Sequence, residues 1–161
     1  MMIRLLNEND KLEDIANIYV ACWKTSYKNI IDENYLQKLT FEKWIPYLKE
    51  PIHTIYIAIE NGKYVGIISF DNVSVKSKKA EIYSLYVLPL YQGKGIGKQL
   101  LKQAIILLKE NNCSNVSVHV IDKNYLARRF YEKENFILKS NTITNTIGKQ
   151  NVVLLEYELK L

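Results

Sequence analysis

The chain has 161 residues, a length that suits one core, and we expect a single domain over residues 1–161. Its composition, 48% apolar and 24% charged residues, is typical of globular proteins and excludes a disordered or membrane-embedded chain. The net charge of +5 favours an anionic partner. No apolar run approaches bilayer length and the first residues lack signal-peptide features, so we expect a cytoplasmic protein that does not bind membranes.

The first third of the chain is predicted to form one short strand followed by helices. Asn9 and Asp10 can cap a helix whose apolar residues recur at helical spacing as far as Trp23. Pro46 is expected to interrupt the last helical piece of this region. The predicted elements are a strand over 2–6 and helical segments over 9–23, 27–39 and 41–48.

Three β-rich runs follow, over residues 53–60, 63–71 and 79–88, and we expect them to form an antiparallel meander. The first two runs are separated by Asn61-Gly62, a dipeptide typical of a two-residue hairpin turn. The meander therefore supplies the centre of the predicted sheet.

A glycine-rich turn connects the third run to an amphipathic helix predicted over 95–112. Gly93, Gly95 and Gly97 leave the backbone free of side chains, so successive amides can point into one concavity at the N-terminus of this helix. Such a turn suits a phosphate.

Two well-known phosphate-binding loops do not fit this turn. A Walker loop would require glycine at Gln92 and Ser or Thr at Gln99, and the dinucleotide-binding fingerprint would place its third glycine at Lys98. Both spacings fail, which leaves the pattern Gln-x-x-Gly-x-Gly.

The last part of the chain is predicted to alternate strand and helix before it ends in a hairpin. The predicted elements are a strand over 115–121, a helix over 124–134 and two β-rich runs over 136–146 and 150–159, which turn near Ile147-Gly148. A strand, a helix and a strand in succession imply a right-handed crossover with local parallel pairing.

Two motifs in this order resemble the GNAT superfamily of N-acetyltransferases, in particular its small bacterial members. The first is Gln92, Gly95 and Gly97 directly after a strand. The second comprises Asn124, Ala127, Phe130, Tyr131, Glu132, Lys133 and Phe136. The family has glycine where this chain has Asn135, a residue that tolerates the left-handed conformation well.

The resemblance implies the fold, the donor and the acceptor class. The fold would be α/β (α+β), a mixed, mostly antiparallel central sheet with helices on both faces. The donor would be acetyl-CoA, held as co-substrate, and the acceptor would be the primary amine of a small molecule or a peptide. The implied acetyl-CoA-binding residues are Leu85, Tyr86, Val87, Gln92, Gly93, Lys94, Gly95, Ile96, Gly97, Lys98 and Asn124.

The resemblance also implies two catalytic residues. Tyr131 matches the family tyrosine that protonates the departing thiolate, although helical periodicity also suits it to a core position. Glu81 resembles the glutamate that acts as base in histone-type members. A water chain as the base, and Glu81 as an exposed strand residue, remain alternatives.

Aromatic residues of the first two helices are candidates for the acceptor pocket. Trp23 and Tyr27 lie in a stretch that resembles small bacterial members, and Tyr83 shares a strand face with Glu81. Tyr35 and the pair Asp32-Glu33 could join them around a cationic amine. Each of these residues has an equally simple structural role in packing or in starting a helix.

Other functions make different predictions. A non-catalytic acyl-CoA-binding or regulatory module could use the same fold. A nucleic-acid-binding protein could use Lys76, Lys78, Lys79, Lys94, Lys98 and Lys102, but no nucleic-acid module is recognisable, so we expect no such partner. Two cysteines and two histidines at unrelated spacings favour neither a disulfide nor a metal site. The C-terminal strands offer an edge for a possible homodimer.

Overall fold

The computed structural model describes residues 1–71 and 78–161. Its seven strands are β1 (Met2–Leu5), β2 (Thr54–Glu60), β3 (Lys63–Phe70), β4 (Lys79–Val87), β5 (Asn115–Ile121), β6 (Ile137–Ile147) and β7 (Gln150–Lys160). Its α-helices are α1 (Leu12–Ser26), α2 (Glu33–Gln37), α3 (Ile45–Lys49), α4 (Ile96–Glu110) and α5 (Tyr125–Lys133). None of these helices is long and apolar enough to cross a membrane. Lys76, one of the basic residues considered above, lies outside the described residues.

The strands form one mixed sheet in the order β1-β2-β3-β4-β5-β7-β6. The pair β4 and β5 is parallel, and the other neighbouring pairs of the described sheet are antiparallel. The predicted fold class is therefore confirmed, including the parallel pairing that follows from the crossover through α4.

Two apolar cores cover the two faces of the sheet. Helix α4 buries Leu100 and Leu101 against one face, and α1 buries Ile15 and Ile18 against the other. Each such side chain contributes about 1.5–3 kcal/mol on full burial. The sheet is thus the shared wall between two separately packed layers.

The start of α1 differs from the sequence-based expectation. Lys11, rather than Asn9 or Asp10, occupies the N-cap position of α1. The Asp10 carboxylate instead accepts two hydrogen bonds from the Arg4 guanidinium, at 2.6 and 2.8 Å, and one from the Tyr64 hydroxyl at 2.9 Å. A carboxylate this buried is stable only with such partners, and the prediction that it caps the helix was wrong.

The region around Pro46 also differs from the prediction. The chain forms a 3₁₀ turn over Phe41–Lys43, and α3 then begins at Ile45 with Pro46 in its first turn. Proline suits this position because a first-turn N–H has no partner within the helix. Pro46 therefore starts a helix where we expected it to interrupt one, and the second helical segment shortens to α2.

The predicted turns are confirmed by the backbone angles. Asn61 and Gly62 have φ values of 50° and 74°, as a hairpin of this type requires. Asn135 has φ of 67° and Gly148 has φ of 64°. Asn135 therefore adopts the left-handed conformation in place of the family's glycine.

Candidate active site

A cleft opens where β4 and β5 separate. In the described sheet their parallel pairing joins Lys79–Ile82 to residues 115–118 and goes no further, although both strands continue. A register shift in the β3–β4 pairing accompanies this point, since Ser69 pairs with Ser84 and Phe70 with Ile82, which leaves Tyr83 as an extra residue. The resulting cavity, here called the donor cavity, has a volume of about 630 Å³.

The glycine-rich turn forms one end of the donor cavity. Gly93 and Gly95 have φ values of 74° and 79°, a conformation that side chains rarely adopt. The side-chain amide of Gln92 donates to the carbonyl oxygen of Val87 at 2.9 Å, which ties the turn to the end of β4. Because Gly95 is the N-cap of α4, the first-turn amides of that helix have no intrahelical acceptor.

Most of the residues predicted to bind acetyl-CoA line this cavity. They are Leu85, Tyr86, Val87, Gln92, Gly93, Gly95, Ile96, Gly97, Lys98 and Asn124. The ammonium of Lys94 instead lies 5.0 Å from the centre of the Tyr91 ring. Lys98 forms an ion pair with Glu134, with 3.2 Å between nitrogen and oxygen. The ammonium groups of both lysines therefore already have partners within the protein.

The Cys22 thiol fixes the same strand end from the opposite layer. Its Sγ lies 3.3 Å from the carbonyl oxygen of Val87 and donates to it. Burial raises the pKa of this thiol to about 12, so it stays protonated. Cys22 is thus a buried structural residue.

Tyr131 lies at the side of the donor cavity, on α5. It is only 5% exposed, and its ring contacts Phe130 and Phe136, with centroids 5.1 and 5.2 Å away. Burial raises the pKa of its phenol, so the hydroxyl keeps its proton over the physiological range. At the start of the same helix, Asn124 accepts a hydrogen bond from the Ala127 amide at 3.2 Å and caps α5.

Glu81 is paired with a residue that the sequence did not single out. Its Oε1 lies 2.8 Å from Nδ1 of His119 on β5. His119 lines the donor cavity, whereas Glu81 is not among the described residues that line it. The crossover predicted parallel strands, but the register that brings this histidine beside Glu81 has no signal in the sequence.

A second, smaller cavity lies on the α1 side of β4 and is here called the aromatic cavity. Its volume is about 300 Å³. It is lined by Tyr19, Trp23, Trp44, Tyr47, His53, Ser69, Tyr83, Ser84 and Tyr86. Tyr83, Ser84 and Tyr86 line both cavities, so the two spaces meet across β4.

The predicted acceptor residues divide between the two cavities. Trp23 lines the aromatic cavity, Tyr27 lines the donor cavity and Tyr83 lines both. The hydroxyls of Tyr27 and Tyr86 are 3.4 Å apart. Asp32 is instead the N-cap of α2 and accepts from the Tyr35 amide at 2.9 Å. The simple role of Asp32 in starting a helix is therefore the one seen in the structure.

Buried hydroxyls lie where the aromatic cavity meets the donor cavity, since Ser84 lines both of them. Ser69 and Ser84 lie with their oxygens 2.6 Å apart, and the Tyr19 hydroxyl is 3.3 Å from that of Ser84. Both serines are buried in the sheet. This cluster places groups that can donate or accept a proton between the two spaces.

Comparison with known proteins identifies the family. The model of the acetyltransferase (GNAT) family matches residues 12–136. An uncharacterised N-acetyltransferase of Archaeoglobus fulgidus is 30% identical over 80% of this chain and 88% of its own length. A spermidine N(1)-acetyltransferase of Thermoplasma acidophilum is 27% identical over 97% of both chains.

A solved structure supports the same fold. The crystal structure of PaiA N-acetyltransferase from Thermoplasma acidophilum in complex with coenzyme A covers 100% of both chains, with a TM-score of 0.76 and 24% identity. The enzyme class expected from the two motifs, an acetyl-CoA-dependent N-acyltransferase, is confirmed by these relatives. This chain belongs to the GNAT family of acetyltransferases.

Proposed function

We propose that the protein transfers an acetyl group from acetyl-CoA directly to the primary amine of a small molecule, with both substrates bound at once. The observation that carries this proposal is the meeting of the donor and aromatic cavities at Tyr83, Ser84 and Tyr86. A thioester in one cavity and an amine in the other would come together there without a covalent enzyme intermediate. The similarity to a spermidine N(1)-acetyltransferase supports a small-molecule acceptor.

The donor cavity has the groups that acetyl-CoA requires. Its pyrophosphate would accept hydrogen bonds from the amides of residues 92–98, where the dipole of α4 adds positive potential. Its pantetheine arm would pair with the backbone of Leu85, Tyr86 and Val87, beyond the last residue of β4 that pairs with β5. Asn124 would contact the same arm at the cavity wall.

The reaction is a nucleophilic substitution at the thioester carbonyl. The amine nitrogen forms a bond to the carbonyl carbon, the carbon–sulfur bond breaks, and coenzyme A leaves as a thiolate. Tyr131 would donate its phenolic proton to that thiolate, and burial keeps the phenol in its protonated form. Positioning both reactants supplies much of the remaining rate enhancement.

The proton of the amine would leave through His119 and Glu81. Glu81 holds Nδ1 of the imidazole at 2.8 Å, which leaves Nε2 as the nitrogen that can accept a proton. A carboxylate in this position orients the ring. Glu81 would therefore act as the base in partnership with His119, and not by direct contact with the amine.

The test is an acetyl-CoA turnover screen over primary amines, amino acids, aminoglycosides and peptide N-termini, with release of the coenzyme A thiol as the readout. We expect turnover with at least one small amine. Tight acetyl-CoA binding without turnover on any acceptor would instead support a non-catalytic regulatory module on the same fold.

A further inference from the structure

The aromatic cavity limits the chemistry of the amine that enters it. The inference below rests on the proposed function, since it takes this cavity as the acceptor site. The cavity joins the donor cavity at three residues, and its volume of about 300 Å³ lies at the lower end of the range for ligand pockets. A compact molecule is therefore favoured.

Aromatic rings packed against one another form most of its wall. Tyr19 stacks on Trp44 with centroids 5.4 Å apart and meets Tyr86 edge-on at 5.3 Å. His53 packs against Tyr83 with ring centroids 4.0 Å apart. Rings held by one another in this way present a fixed apolar surface, which suits a ring or an alkyl chain.

The cavity wall offers no carboxylate to a charged substrate. Among the described residues that line it, none is acidic, and the sequence of residues 72–77 contains no Asp or Glu. Asp71 contacts Tyr83, but its two oxygens accept hydrogen bonds from the Tyr83 hydroxyl and the Glu81 amide, at 2.7 and 2.8 Å. The Glu81 carboxylate is itself bound to His119.

A lysine places positive charge against the same rings. The ammonium of Lys43 lies 5.3 Å from the centroid of Trp23 and 5.5 Å from that of Trp44. These rings attract a cation through their faces, and Lys43 already uses that attraction. It also repels any second ammonium that enters the cavity.

One polar group within the wall, the Trp23 indole N–H, favours an oxygen over a second ammonium. The Trp23 indole N–H can only donate, whereas an ammonium offers three donors and no acceptor. Within the described residues neither this N–H nor the Tyr47 hydroxyl makes a hydrogen bond of good geometry, although the hydroxyls of Tyr86 and Ser69 lie nearby. The indole N–H therefore has nothing to offer the far end of a polyamine, whereas the Tyr47 hydroxyl can both donate and accept.

We propose that the acceptor is a primary amine with a single amino group on a compact aromatic or aliphatic body, and not a polyamine. The reactive amino group would reach the hydroxyls of Ser84 and Tyr86 between the cavities, while the body fills the space between the rings. This acceptor class differs from that in the name of the spermidine N(1)-acetyltransferase, which is 27% identical.

Matched amines test the proposal on the full chain. Hexylamine and 1,6-diaminohexane have the same carbon chain and differ in one terminal ammonium, and 2-phenylethylamine, tryptamine and spermidine extend the set. We expect kcat/KM for hexylamine to exceed that for 1,6-diaminohexane by at least about ten-fold, the discrimination that one mismatched group typically produces. The two aromatic amines should likewise exceed spermidine.

A lysine variant isolates the role of charge. Lys43→Met removes the cation beside the two indoles, so the preference for hexylamine over its diamine should narrow by about three-fold or more. Lys49→Met, another exposed lysine of the same region, should leave the ratio unchanged.

Each other outcome overturns a specific part of the argument. Equal or better turnover of spermidine or 1,6-diaminohexane would overturn the acceptor class and leave acetyl transfer intact. Preference for a peptide N-terminus would do the same. Absence of turnover with every amine, despite bound acetyl-CoA, would overturn the proposed function together with the acceptor class.

Discussion

The donor cavity and the aromatic cavity share a strand but are built in different ways. The donor cavity presents mainly backbone, since its glycine turn and the end of β4 leave amides and carbonyls open between Leu85 and Lys98. The aromatic cavity presents side chains from α1, from α3 and the residue before it, and from the segment before β2. A site made of backbone can be conserved as a short motif, whereas a site made of side chains can change its substrate without changing the fold.

The largest expected effect on the donor side follows from removing one hydroxyl. We expect Tyr131→Phe to lower kcat by about 100-fold or more, because general acid catalysis contributes roughly 10²–10⁴-fold. The affinity for acetyl-CoA should stay the same, since the aromatic ring remains in its packing with Phe130 and Phe136. Steady-state turnover and equilibrium binding of acetyl-CoA measure the two quantities.

The matched control for this change is Tyr125→Phe, which removes the hydroxyl of an exposed tyrosine on the same helix. It should not affect kcat. Unchanged turnover in Tyr131→Phe across the pH range would remove this hydroxyl from the mechanism.

A smaller effect should follow from straining the glycine turn. Gly95→Val places a branched side chain at φ of 79°, which costs about 1–3 kcal/mol and displaces the amides that follow. The dissociation constant for acetyl-CoA should rise by roughly 10–100-fold, since each 1.4 kcal/mol is ten-fold. Isothermal titration with acetyl-CoA measures the change.

Gly62→Val provides the control, because Gly62 has φ of 74° and an equally open surrounding in the β2–β3 turn. It should destabilise the protein to a similar degree and leave acetyl-CoA affinity unaltered. If both variants lost the same affinity for acetyl-CoA, the loss would come from general destabilisation of the protein and not from the phosphate-binding turn.

Two amide substitutions can distinguish the roles of His119 and Glu81 in removing the proton of the amine. If His119 and Glu81 act together, His119→Gln should lower kcat/KM by about ten-fold or more at neutral pH. Glu81→Gln keeps a group that can bond to the imidazole but loses its charge, so its effect should be smaller. A larger loss in Glu81→Gln than in His119→Gln would identify Glu81 itself as the direct base.

The contrast between the two cavities also explains what could be predicted from the sequence. The residues of the donor cavity are close in sequence: strand end, turn and helix start follow one another, so spacing alone identified Gln92, Gly95 and Gly97. Tyr131 came from a second contiguous motif. Local sequence patterns are sufficient to predict a site when the site is formed by backbone that is contiguous in the chain.

The aromatic cavity could not be assembled in the same way. Helical periodicity placed Trp23 on an inward face, but nothing in the sequence brings Trp44, Tyr47 and His53 to that face, because tertiary packing alone joins them. His119 was missed since its partner depends on strand register. Asp10 was misassigned because an N-cap residue and an ion-pair residue have the same local pattern.

The smallest expected effect on catalysis concerns the ion pair between Arg4 and Asp10. Asp10 lies just before α1, the helix that carries Tyr19 and Trp23 into the aromatic cavity. The hydrogen bonds from Arg4 are the main cause that holds the pKa of the Asp10 carboxyl below its usual value. The charged carboxylate therefore stabilises the folded state above the ordinary pKa of about 3.9, and this stabilisation is lost as the pH falls through the lower folded-state value.

Asp10→Asn should lower the free energy of unfolding at pH 7 by about 1.5–3 kcal/mol, the range for hydrogen bonds to a charged group. The midpoint of thermal unfolding should fall by roughly 3–10 °C, and the difference from the unmodified protein should shrink below about pH 4. Glu8→Gln, an exposed acid nearby, should lack this pH-dependent difference.

Because Asp10 lines neither cavity of the described structure, acetyl-CoA affinity should persist in Asp10→Asn, and any rise in KM should be confined to the amine. A loss of acetyl-CoA affinity instead would mean that the two sides of β4 are not independent.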